Sequence, residues 1–80
     1  MNSVPLSPSN LLTQAISSTL ADNSAVVASW LAGEPGSWGR LAGAGVIAYR
    51  NLLGRTLTDT ERRQVWAALW QALQLRKQSG

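Results

Sequence analysis

The chain has 80 residues and a formal net charge of +3; 45% of it is hydrophobic, only 14% is charged, and cysteine and histidine are absent. Disulfide scaffolds, zinc, haem and iron–sulfur sites, and catalysis built on His or Cys are therefore excluded by composition alone. A domain of this size buries only about 60–65% of its unfolded surface, and a surface so poor in charge repels other chains weakly, which favours self-association or a permanent partner.

Residues 1–9 hold Pro5 and Pro8 and show no periodicity, so a flexible N-terminal arm is expected there. From Asn10 the pattern turns helical: Leu12, Ile16 and Leu20 lie on one side, with Thr13, Gln14, Ser17 and Ser18 opposite. Ser17, Ser18 and Thr19 compete for the backbone and make this first helix intrinsically weak. Asp22-Asn23-Ser24 supplies a break and an N-cap for a second helix, Ala25 to Ala32, apolar nearly all round and so expected to be buried on more than one side. Gly33 fits its C-terminal cap, and Pro35-Gly36 turns the chain.

Ser37 is placed to cap a third helix over about residues 38–53, whose core stripe is Trp38, Leu41, Ala42, Gly45, Tyr49, Leu52 and Leu53. Gly39, Gly43 and Ile47 recur every four residues on the opposite flank, bordered by Arg40 and Arg50. An exposed mid-helix glycine costs about 1 kcal/mol relative to alanine, so two in one row imply close approach of another backbone. Either the first two helices of the same chain supply it, or a second copy or partner helix does. Gly54 closes this helix, Arg55-Thr56-Leu57 connects, and Thr58-Asp59-Thr60-Glu61 is a capping box opening a fourth helix over about 59–77. Its buried stripe is read as Val65, Trp66, Leu69, Trp70 and Leu73, with Gln64, Ala67, Gln71 and Gln74 facing away. Loss of either Trp66 or Trp70 is then expected to cost about 3–5 kcal/mol.

The expected fold is all-α: a bundle of three to four helices over residues 10–78, organised around an antiparallel hairpin of the third and fourth, with 79–80 as a tail. Leu12, Ile16, Val27, Trp30 and Leu31 complete its core. No basic residue precedes the first apolar stretch, as a secretory signal would require, and the longest apolar run, Leu41–Tyr49, is far short of the about 20 residues that span a bilayer. A soluble, cytoplasmic protein is expected, with no cofactor and no metal.

Chemistry-bearing motifs are few. Gly43-Ala44-Gly45-x-x-Ala48 matches a dinucleotide fingerprint in letters, but no strand precedes it and its glycines fall mid-helix. Gly36-Ser37-Trp38-Gly39 offers free amides at a helix start but no P-loop lysine. Leu57-Thr58-x-x-Glu61-Arg62-x-x-Val65 resembles the opening of helix-turn-helix domains in bacterial transcription regulators; the likeness spans nine residues and mostly restates the capping box, so it is not taken as membership. Asp22, Glu34, Asp59 and Glu61 are the only acids, the last two are used in capping, and catalysis is not expected.

Charge is unevenly placed. All seven basic residues lie from Arg40 onward, so residues 1–39 carry −2 and 40–80 carry +5. Arg50, Arg55, Arg62 and Arg63 could gather near the connection of the third and fourth helices, and four phosphate contacts would give a salt slope of roughly −3.6 on duplex DNA. A membrane-surface role for the fourth helix, where Trp66 and Trp70 share a face with Arg62 and Lys77, is opposed by the glutamines on its polar side. By elimination the expected function is a non-catalytic protein–protein interaction module, a homodimer or a small subunit of a larger assembly. Its contact surface is Gly39, Arg40, Gly43, Ile47 and Arg50; the alternative is a weak, salt-sensitive nucleic-acid binder using the four arginines.

Overall fold

Pro8 opens the first helix, α1 (Pro8–Asp22), because a first-turn residue needs no N–H and proline's fixed φ already suits a helix. The computed structural model describes residues 8–79, with side chains from Asn10, and contains four helices and no strand among them. Of the expected N-terminal arm, Pro8 and Ser9 are helical, and residues 1–7 lie outside the described residues. At the other end helix continues to Ser79, two residues beyond the expected limit and into the expected tail.

The predicted stripe of α1 is buried at Ile16 and Leu20 and half-buried at Leu12, with Thr13, Gln14, Ser17 and Ser18 exposed. Thr19 departs from its reading as a mere helix weakener. It is 2% exposed, and its hydroxyl donates to the Ala15 carbonyl at 2.7 Å, which lets a polar residue occupy the core side. Asn23 also acts differently from expectation: its amide donates to the Thr19 carbonyl at 2.9 Å, finishing α1 rather than capping the second helix.

That second helix, α2 (Ser24–Leu31), ends in a Schellman motif. The Gly33 N–H reaches the Trp30 carbonyl at 2.9 Å and the Glu34 N–H reaches Ser29 at 3.0 Å, with Gly33 at φ +80°, a conformation that costs glycine nothing. Contrary to expectation α2 is not buried on several sides. Only Val27 is fully enclosed, and Leu31 is 43% exposed, because this short helix packs chiefly on α3 and only slightly on α1.

The third helix, α3 (Ser37–Leu53), begins one residue earlier than the reading from Ser37 as its cap. Gly36 takes the boundary position at φ +86°, and the buried Ser37 hydroxyl turns back to the Glu34 carbonyl at 3.0 Å. The central element is α3: it packs against α1, α2 and α4, most extensively against α1. Its buried residues are Ser37, Leu41, Gly45 and Tyr49, whereas Leu52, read as core, is 37% exposed.

Gly54 ends α3, its N–H on the Arg50 carbonyl at 2.8 Å. The connection to the fourth helix, α4 (Asp59–Ser79), is anchored by Leu57, 5% exposed and part of the core rather than a passive link. The capping box forms as read. Glu61 N–H donates to the Thr58 hydroxyl at 3.1 Å, and Thr58 N–H donates to the Glu61 carboxylate at 2.9 Å. Val65, Leu69 and Leu73 are fully buried. Trp66 and Trp70 are not: they are 40% and 49% exposed, so the losses of core size expected of them belong to Leu69 and Leu73.

Candidate interaction surface

Gly45 is where α3 admits a close neighbour. A Cβ built on it would stand 3.0 Å from Val65 Cγ1 on α4 and 3.9 Å from Thr19 Oγ1 on α1. The close-approach argument made for the glycines of α3 is thus met inside the chain, but by Gly45 and not by the opposite flank.

That flank is open. A Cβ built at Gly39 or at Gly43 meets no atom within 4 Å, and Ile47, one turn on, is 50% exposed. Of the two coverings considered, α1 and α2 of the same chain do not supply one here. Arg40 and Arg50 border the row, both exposed and neither in an ion pair among the described residues. Beside it, a cleft of about 290 Å³ between α1 and α3 is lined in part by Ser18, Asp22, Ala44 and Ile47.

The four arginines of the alternative reading are only partly brought together. Arg50 and Arg55 line one shallow cleft at the end of α3. Arg55, however, is engaged: its guanidinium donates to both Glu61 oxygens, at 2.7 and 2.6 Å. Arg62 pairs with Asp59 one turn away. Glu61 responds strongly, its carboxyl held down to about 2 by the Arg55 hydrogen bonds first and the Thr58 backbone bond second. The same pair keeps the Arg55 guanidinium above its ordinary value. Close by, burial raises the Tyr49 phenol, with the Glu61 charge adding to the rise and Arg55 opposing it.

A second surface contains Trp66, Trp70 and Lys77, weighed above as a face of the fourth helix; the part played in it by Trp30 and Trp38 was not read from the sequence. Trp70 packs edge-to-face against Trp30, centroids 5.7 Å apart at 84°, and against Trp38, 5.4 Å apart at 89°. The Lys77 ammonium stands 5.8 Å from the Trp30 ring centroid. Trp30, Trp38 and Trp70 thus meet where α2, the start of α3 and α4 come together, and Trp66 lies one turn before Trp70 on α4. The signal was the width of the α4 stripe. Val65, Leu69 and Leu73 complete a buried row by themselves, and Trp66 and Trp70 form a parallel row one residue further round.

Among the described residues no three acidic, His or Cys side chains gather to hold a metal ion, and no helix is long and apolar enough to cross a membrane. No family model, curated protein or solved structure matches this chain.

Proposed function

We propose that the protein is a non-catalytic protein–protein interaction module that self-associates, or joins a larger assembly, through the flank of α3 formed by Gly39, Arg40, Gly43, Ile47 and Arg50. The observation that carries this reading is the open space over Gly39 and Gly43 beside a half-exposed Ile47. Gly43 in the middle of α3 weakens the helix by about 1 kcal/mol relative to alanine, and among the described residues no atom comes within 4 Å of a Cβ built there or at Gly39 in the first turn. A helix seated on the row would offset that loss, since glycine lets backbones approach closely. Arg40 and Arg50 then serve as the polar rim.

The alternative, nucleic-acid binding through Arg50, Arg55, Arg62 and Arg63, is supported by the shared cleft of Arg50 and Arg55. It is weakened by the engagement of Arg55 and Arg62 with carboxylates. With only Arg50 and Arg63 outside ion pairs, the expected salt slope on duplex DNA drops to roughly −1.8.

One experiment separates them. In sedimentation equilibrium, Gly43→Leu is expected to abolish self-association while far-UV circular dichroism stays helical, because the added side chain meets open space. Charge reversal at Arg55 and Arg63 is expected to leave association intact. A Gly43→Leu protein that associates like the parent removes the flank as the contact surface. DNA binding that disappears with the arginine reversals, in a chain that stays monomeric, installs the alternative.

A further inference from the structure

We propose that the tryptophan row of α4 is a peripheral docking surface for an anionic phospholipid membrane. Arg63, Trp66, Trp70 and Lys77 follow one another at three-, four- and seven-residue steps, which places them along one line of the helix. The two indoles are 40% and 49% exposed at the middle of that line, and a cation stands toward each end. Beyond Glu61, α4 carries no acidic residue, and Arg63 and Lys77 belong to no ion pair among the described residues. The stripe is therefore positive and complementary to a surface of phosphate and carboxylate headgroups.

Half-exposed tryptophan suits such a surface because its ring is apolar while its N–H tolerates water, and long basic side chains reach from an apolar bed toward headgroups. The edge-to-face contacts of Trp70 with Trp30 and Trp38 fix the ring in advance, so little order is lost on docking. Of the glutamines that opposed a membrane role, Gln71 lines the apolar cleft between α1 and α4, on another side of the helix, and Gln74, one turn after Trp70, is half-buried. Nucleic-acid stacking fits less well. Trp30 is approached by Lys77, and Trp70 is held edge-to-face by two neighbouring indoles, so neither is a free stacking platform. An apolar peptide would seek a groove, and the apolar groove beside α4 includes neither tryptophan.

The 80-residue chain is mixed with vesicles of equal parts phosphatidylcholine and phosphatidylserine, or with phosphatidylcholine vesicles, and followed by co-sedimentation and tryptophan emission. Binding to the serine-containing vesicles alone is expected, with a blue shift and release at high salt. Arg63→Glu and Trp66→Gln should each weaken it by about fivefold or more, whereas Arg50→Glu, with the same change in net charge on the α3 flank, should retain most of it. Lys77→Glu provides a further variant if Trp66→Gln loses its fold by circular dichroism. Absence of sedimentation with either vesicle overturns the proposal. So does an equal loss in Arg50→Glu, which would reduce the effect to bulk charge, and so does quenching by a thymidine oligonucleotide without response to vesicles.

Discussion

Two glycines two residues apart on the same helix have opposite physical meanings. At Gly45 a methyl group would press to 3.0 Å on Val65 Cγ1, a β-branched side chain that is itself fully enclosed. At Gly43 the same methyl group meets empty space. Helix propensity favours alanine by about 1 kcal/mol at both positions, while overpacking a core costs about 1–3 kcal/mol. Gly43→Ala should therefore raise the urea midpoint, and Gly45→Ala should lower it; equal shifts would show that the α3–α4 contact is looser than described. Spacing separated them, placing Gly45 in the core stripe and Gly43 on the opposite flank, but it could not show whether a neighbouring element covers that flank. The same limit applies to Trp66 and Trp70, whose size marks them as core residues although the elements around α4 enclose only the row beside them.

At the scale of the element, the start of α4 was fully legible, because a capping box is a local device whose partners sit three residues apart. What the sequence concealed is that Glu61 is shared. It accepts the Thr58 amide and, across the connection, both nitrogens of Arg55, so one carboxylate fastens the helix start to the loop. Its pKa of about 2 lies below the ordinary 4.5 of an unfolded glutamate. The contribution of that charge to stability is therefore complete above the unfolded value and is lost as pH falls from about 5 toward 2. Melting temperature should decline through this window in the parent and decline less in Glu61→Gln, with the two curves converging at the acid end. Parallel curves would mean that the Arg55–Glu61 contact adds nothing to folding. The ends of the other helices were less legible. At Asn23 and Ser37 the polar side chain serves the preceding segment instead of capping the next, a choice set by where the chain turns and not by residue type.

At the scale of the molecule, helix number, order and the α3–α4 hairpin could be read from periodicity and turn residues, because both act locally. The partnership that dominates the packing could not. On intrinsic grounds α1 is the weakest helix, with its run of hydroxyl residues, and it is nonetheless the principal neighbour of α3. Ala15, Ile16, Thr19 and Leu20 all face inward from it, and Thr19 stands beside Gly45 at the centre of the bundle. Tertiary burial rather than propensity thus holds α1, as it does most short helices in water. This has a consequence for cooperativity, since all four tryptophans lie outside α1, on α2, α3 and α4. If α1 were a detachable appendage, its loss would leave tryptophan emission nearly unchanged. Because it is instead built into the core around α3, Ile16→Ala should destabilise the whole domain by about 2–5 kcal/mol. Circular dichroism and tryptophan fluorescence should then report one coincident urea transition, shifted together in the variant. Two separated transitions, with helicity lost before the fluorescence changes, would show instead that α2, α3 and α4 hold together without α1.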